Sequence, residues 1–314
     1  MISNYIINDS STAIFIPIIL RIIVTLIAGL VLIVILNQGK FKGIWKTEVG
    51  KRYLGWLFII PIYLIAVLFW KLGVLILFIV HAYGIKEFAQ MTKMNSKDKL
   101  VFLGLSAITI LTASLSADKF YLLPALYLLV VSAYSISKNK RTSFIEATTM
   151  IFFSLWIFWG LSHLILMVNF SNILDVRSLF IFLLFSVSLS DVFAYVFGKY
   201  FSKLSISKRL TIAHKISPNK TYLGIVGNIF GVLLGGSIMY FSLSKYLLWF
   251  HWLILATIIV LFGVLGDLTE SMLKRFYKVK NSGDLILGHG GVLDRVDSLV
   301  FVSMGVYYYL YLFT

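Results

Sequence analysis

The sequence predicts an all-α, polytopic integral membrane protein of about ten transmembrane helices, with both termini on the non-cytoplasmic side. Three observations predict it. The 314 residues are 60% hydrophobic and 13% charged, and the mean hydropathy is +0.94, whereas soluble chains carry roughly 25% charged residues. Apolar runs of about 15–25 residues recur along the whole length, each close to the thickness of a hydrocarbon core. The basic residues fall almost wholly on one side of the resulting helix count.

Only helices or closed barrels satisfy backbone polar groups in lipid, and continuous rather than alternating apolar runs select helices. The runs lie at about 13–36, 54–70, 72–84, 100–116, 119–136, 147–169, 178–197, 222–242, 247–266 and 298–314, the third being short. The N-terminal residues lack a basic stretch and a small-residue cleavage site, so the first run is expected to be retained. Five loops hold 23 of the 28 Lys and Arg, and all five share one side. They are 37–53 (Lys40, Lys42, Lys46, Lys51, Arg52), 85–99 (Lys86, Lys93, Lys97, Lys99), 137–146 (Lys138, Lys140, Arg141), 198–221 (Lys199, Lys203, Lys208, Arg209, Lys215, Lys220) and 267–297 (Lys274, Arg275, Lys278, Lys280, Arg295). The other side has Lys71, Lys119, Arg177 and Lys245, and Arg21 sits inside the first run. The basic side is the cytoplasmic one, so a net charge of +15 reads as membrane orientation and not as nucleic-acid binding. Cysteine is absent, which excludes disulfide and thiolate chemistry.

The chain divides into an N-terminal set of helices over 1–146, without a specific motif, and a C-terminal region over 147–314 whose polar loops, 198–221 and 267–297, are too long for mere connectors. Five of only 13 acidic residues lie within the second loop: Asp267, Glu270, Asp284, Asp294 and Asp297. Carboxylates among Lys and Arg suit a hard cation and phosphate. On a continuing helix Asp267, Ser271 and Lys274 share a face. Gly288-His289-Gly290-Gly291 is a tight turn able to offer N–H groups to an anion. Asp294 and Asp297 open the last helix, although helix capping alone also accounts for single acids there. Asp191 ends the seventh run at an interface, where a carboxylate marks either function or the helix end. Ser217-Pro218 reads as an N-cap and first helical residue, placing Lys220 and Thr221 at the positive end of the eighth helix. His81, His163 and His251 read as packing residues, Arg21 as facing a helix partner or lipid phosphate, and Tyr307 to Tyr311 as an interfacial belt.

At these residues the chain resembles the phosphatidate cytidylyltransferases. The segments are Asp191-x-x-Ala194-Tyr195-x-x-Gly198, Ser217-Pro218-Asn219-Lys220-Thr221, Gly266-Asp267-Leu268-Thr269-Glu270, Ser271-x-x-Lys274-Arg275, Gly288-His289-Gly290-Gly291 and Asp294-Arg295-x-Asp297, covering about residues 186–300. Three positions depart from the family pattern: Leu223 for Glu, Asn281 for Asp and Leu287 for Pro.

The resemblance implies attack by a phosphatidic acid oxygen on the α-phosphorus of CTP at a cytoplasmic site in the inner membrane, giving CDP-diacylglycerol and pyrophosphate for phospholipid synthesis. It implies Mg²⁺ on Asp267 and Asp294, with Asp297 nearby, and leaves room for a second, monovalent ion such as K⁺. Lys274, Arg275, Lys280 and Arg295 then face the triphosphate, with Ser271, Gly290 and Gly291 beside them. Asp191, Ser217, Lys220 and Thr221 hold lipid phosphate or nucleotide. His289 is a donor to phosphate, a general acid, or a turn residue. The family suggests a homodimer. The rival readings are a divergent paralogue acting on another lipid phosphate and a non-enzymatic transporter. A transporter predicts polar residues through the middle of several helices, which here are nearly free of charge.

Overall fold

A computed structural model describes residues 9–36, 44–140, 142–200, 211–283 and 290–313. The helices are α1 (Asp9–Leu36), α2 (Glu48–Leu68), α3 (Trp70–Thr92), α4 (Ser96–Leu115), α5 (Ala117–Phe120), α6 (Leu123–Ser137), α7 (Ser143–Phe153), α8 (Gly160–Leu166), α9 (Val176–Tyr200), α10 (Tyr222–Tyr240), α11 (Trp249–Phe276) and α12 (Leu293–Phe313). A π-helical turn over Ser154–Trp159 joins α7 to α8, so this run is one continuous but wound-out span. Among the described residues, eight helical spans are long and apolar enough to cross a membrane; the apolar parts of α2 and α6, Tyr53–Leu68 and Leu123–Ser137, are shorter.

Three helix boundaries depart most from the sequence expectation, in each case because the helix runs past the apolar stretch. The third helix is not short: α3 continues to Thr92 with His81, Gly84, Ile85, Glu87, Phe88 and Met91 buried along one face. α11 continues ten residues beyond 266, through Asp267, Glu270, Ser271, Lys274 and Arg275. α12 starts at Leu293, not 298, so the ends of α11 and α12 take up about half of the 267–297 segment. A fourth difference departs from an all-α chain. The 198–221 segment carries a two-stranded antiparallel hairpin, β1 (Thr211–Ala213) and β2 (Ser217–Thr221), with Thr211 opposite Thr221 and Ala213 opposite Ser217. Pro218, which lacks an N–H, is tolerated in so small a ribbon because each strand has a free edge. Ser217 is therefore a strand residue and not an N-cap; Thr221 caps α10, its hydroxyl accepting from Gly224 N at 3.1 Å.

Helix packing follows the rule for lipid-embedded bundles, where small residues let backbones approach. α9 and α10 form the closest pair. Gly227 and Gly231 lie directly against the carbonyls of Phe193 and Leu189, leaving no room for a Cβ. The aromatic core Phe88, Phe102, Phe153 and Phe158 joins α3, α4, α7 and the π turn, with Phe88 stacked on Phe153 at 4.1 Å.

Side-chain contacts sort the helix ends into two groups. At one end Lys138 pairs with Asp98 at 2.6 Å and Glu146 at 3.1 Å, and Tyr277 OH donates to Thr149 Oγ1 at 3.2 Å. This gathers the basic connections α3–α4, α6–α7 and α11–α12. At the other end Tyr121 OH lies 2.6 Å from Tyr307 OH, and His251 Nδ1 meets Tyr309 OH. Tyr307 is thus buried against His163 and Phe170 and is not part of a lipid-facing belt. The histidines pack as expected, with His81 Nδ1 3.0 Å from Ser106 Oγ and His163 Nδ1 2.9 Å from the Trp159 carbonyl. Arg21 lies over the Phe241 ring at 3.4 Å, a helix-partner contact.

Candidate active site

The basic end of the bundle holds a cavity of about 270 Å³ walled by α9, the hairpin, α10, α11 and α12. Asp191, Ser217, Lys220, Thr221, Asp267, Asp294 and Arg295 all line it, so residues as far apart in sequence as Asp191 and Arg295 meet there. Asn228 and Tyr195 complete the polar wall.

The α11 helix sets out its polar residues on one face. Asp267 receives the Lys220 ammonium from β2 and the Ser298 hydroxyl, 3.2 Å away, from α12. One turn on, Glu270 is 2% exposed and holds Lys274, whose Nζ lies 2.5 Å from both Glu270 Oε2 and Asp294 Oδ1. A buried carboxylate or ammonium is tolerated only when paired and hydrogen-bonded; Lys274 and Asp294 meet that condition across two helices, while Glu270 is paired through Oε2 alone and its Oε1 has no hydrogen-bond partner. Desolvation pushes the Lys220 ammonium below the ordinary lysine value, against the raising pull of Asp297 and Asp191.

Asp294 sits in the first turn of α12, where a negative charge is favoured. Its Oδ2 accepts from Gly291 N at 2.8 Å, Ser282 Oγ at 2.9 Å and Ser282 N at 3.3 Å. Gly290 has φ +81°, a conformation open to glycine, and a Cβ there would strike the Asp294 carboxylate. Asp297 is buried, accepting from Ser298 N at 2.7 Å.

Several expected substrate ligands fall elsewhere. Lys274 is committed to Glu270 and Asp294 and does not line the cavity. Arg275 is turned outward, its guanidinium donating to the Ile216 carbonyl at 3.2 Å and the Val279 carbonyl at 3.1 Å. It ties α11 to the hairpin turn. Lys280 is exposed and Ser271 half-buried, both off the cavity wall. The helical continuation explains this, because only one face of α11 can point inward. His289 and Asp284 lie outside the described residues.

Sequence reasoning missed Glu87. This α3 carboxylate, 4% exposed, accepts from Val292 N at 2.7 Å, Leu293 N at 2.9 Å and Ser282 Oγ at 3.1 Å. The signal available was its place on the buried face that Gly84, Phe88 and Met91 continue beyond the apolar run.

A second cavity of about 180 Å³ lies between α1, α2 and α9, lined by apolar residues such as Leu26, Ile60, Leu64 and Phe185. It shares Asp191, Tyr195 and Arg295 with the charged cavity. Arg295 Nε is buried there without a hydrogen-bond partner.

Asp267 and Asp294, paired here with Lys220 and Lys274, are the carboxylates that could hold a divalent cation. Asp267 and Asp294 project into one cavity from two helices, and Mg²⁺ is commonly held by one or two carboxylates plus substrate phosphates. Among the described residues no cluster of three or more His, Asp or Glu forms a cage by itself.

Fold and site together define a multi-pass membrane protein whose polar chemistry is confined to one end of the bundle. The chain belongs to the cytidylyltransferase family, whose sequence pattern matches residues 50–313. The match thus begins well before residue 186 and takes in α3 and Glu87. Similar proteins include three phosphatidate cytidylyltransferases. That of Synechocystis is 44% identical over 128 residues, 39% of this chain and 40% of that protein. That of Bacillus subtilis is 42% identical over 117 residues, 37% and 43%. That of Staphylococcus saprophyticus is 35% identical over 187 residues, 55% and 62%. The matched stretches thus span between 40% and 62% of the length of these relatives.

Proposed function

We propose that the chain transfers the cytidylyl group of CTP to phosphatidic acid, releasing pyrophosphate and leaving CDP-diacylglycerol in the bilayer. The observation that carries this reading is the shared wall of the two cavities. A charged cavity and an apolar one that meet at Asp191, Tyr195 and Arg295 suit an acceptor with a phosphate at one end and acyl chains at the other. The relatives named above carry the same activity in their names.

In the reaction a non-bridging oxygen of the lipid phosphate forms a bond to the α-phosphorus. The bond from that phosphorus to the β-bridging oxygen breaks, and pyrophosphate leaves with the electron pair. Such chemistry is mostly positioning and charge stabilisation. Mg²⁺ on Asp267 and Asp294 would neutralise polyphosphate charge and stabilise the leaving group. Lys220, paired with Asp267 at the cavity wall, is placed to turn its ammonium to a phosphate oxygen. Arg295, at the junction of the cavities with Nε unpaired, suits the lipid phosphate. Lys274 and Arg275 act one step back, holding Asp294 and the hairpin.

Ten crossings, with α2 and α6 as the two shorter ones, and a cytoplasmic site in the inner membrane complete the reading. They are supported by the basic connections gathered at the site end.

The test is pyrophosphate release by the purified protein in detergent, with CTP and phosphatidic acid, in Mg²⁺ or EDTA. Release that needs the lipid and the metal and is lost in Asp294→Asn is expected. A folded protein that binds CTP but releases nothing with this lipid points to another lipid phosphate. One that neither binds CTP nor turns over overturns the enzyme reading.

A further inference from the structure

We propose that Glu87 is a positioning residue, fixing the orientation of the Asp294 carboxylate through Ser282 and the Gly291–Leu293 backbone. The first backbone N–H groups of a helix have no partner within it. Here those of Val292 and Leu293 are taken by the two oxygens of Glu87, at 2.7 and 2.9 Å, from a helix some 200 residues earlier. Glu87 is therefore the tertiary cap of α12. A carboxylate at this depth, beside Phe88 and the aromatic core, is retained only with its lone pairs filled, and three donors fill them.

The same turn feeds Asp294. Ser282 Oγ lies 3.1 Å from Glu87 Oε2 and 2.9 Å from Asp294 Oδ2, its single proton shared between the two carboxylates. Gly291 N donates to Asp294 Oδ2, and the next two amides donate to Glu87. Gly283 and Gly291 press their backbones against Glu87 so closely that a Cβ at either would strike it. The two carboxylates are thus held by neighbouring donors of one short backbone segment. A shift of Glu87 moves the three donors that aim Asp294.

This inference rests on the proposed function in taking Asp294 as a metal ligand. The experiment is Mn²⁺ titration of the purified full-length protein in detergent, followed by electron paramagnetic resonance, with and without CTP. Glu87→Gln keeps the size and loses one acceptor; it is expected to stay folded and bind Mn²⁺ about 10–100-fold more weakly, the usual effect of removing an outer-shell partner. The Mg²⁺ concentration for half-maximal turnover rises likewise, while KM for phosphatidic acid stays put, a split that general loosening would not give. Ser282→Ala, which leaves the bonds to Val292 and Leu293, gives a smaller shift in the same direction. Unchanged Mn²⁺ affinity in folded Glu87→Gln overturns the proposal. Should that variant not fold, unchanged affinity in Ser282→Ala overturns it, as does a wild-type protein that binds no Mn²⁺ in either condition. A wild type that binds Mn²⁺ without turnover defeats the lipid reading alone, and the Mn²⁺ shift still decides the role of Glu87.

Discussion

Lys274 on α11 and Asp294 on α12 are joined at 2.5 Å, and the same ammonium holds Glu270 one turn back on its own helix. One cation therefore compensates two buried acids. Lys274→Met leaves both unpaired and is expected to lower stability by about 3–5 kcal/mol. The double variant Lys274→Met, Glu270→Gln recovers part of it. Thermal unfolding in detergent measures both; equal losses in single and double variants count against the shared pairing.

Asp267 and Asp294 enter the charged cavity from different helices. Asp267→Asn and Asp294→Asn are each expected to lower turnover by about 100-fold or more while the protein remains folded. Arg275→Gln, which removes only the ties to Ile216 and Val279, leaves the rate within several-fold. The assay is pyrophosphate release, and an Arg275 variant as inactive as the aspartate variants would restore that residue to the substrate site.

The lowered Lys220 titration gives a pH dependence with a definite sign. Desolvation favours the neutral amine, so Lys220 loses its positive charge at a pH where an exposed lysine still keeps it. The rate is expected to decline on the alkaline side before ordinary lysines titrate. Lys220→Arg keeps the charge and moves that limb to higher pH, whatever it does to the maximum. Superimposable alkaline limbs would remove Lys220 from the rate-determining ionisations.

The α9–α10 seam makes a packing prediction. A Cβ at Gly231 meets the Leu189 carbonyl and Ser190 backbone, whereas one at Gly104 on α4 meets nothing within 4 Å. Gly231→Ala is expected to destabilise by about 1–3 kcal/mol through overpacking. Gly104→Ala is expected to be neutral or stabilising by up to about 1 kcal/mol, through the better helix propensity of alanine. Melting temperatures of the two variants, measured side by side, check this.

Much of the site was legible because polar residues stand out in an apolar chain. Asp267, Asp294 and Lys220 could be picked from composition and spacing and Arg295 from the family resemblance, and all four line one cavity. What was not legible depends on three-dimensional pairing. Lys274 and Arg275 follow the same motif as their neighbours, yet α11 turns one inward to its carboxylates and the other outward to the hairpin. The hairpin itself has three and five residues per strand, too short for a period of two to register. Glu87 was hidden because its partners are some 200 residues away and no neighbouring acid draws attention to it. Helix ends were placed at the edge of apolar runs, whereas α11 and α12 carry their polar residues on further helical turns.

Asp191, Tyr195 and Arg295 belong to the walls of both cavities. Whatever fills the apolar chamber and whatever fills the charged one must settle against the same three side chains. Their affinities are then thermodynamically linked, and the linkage is equal read from either side. On the proposed function, an acceptor that tightened nucleotide binding would be held more tightly by the same factor once nucleotide was present, and one that weakened it would be weakened equally.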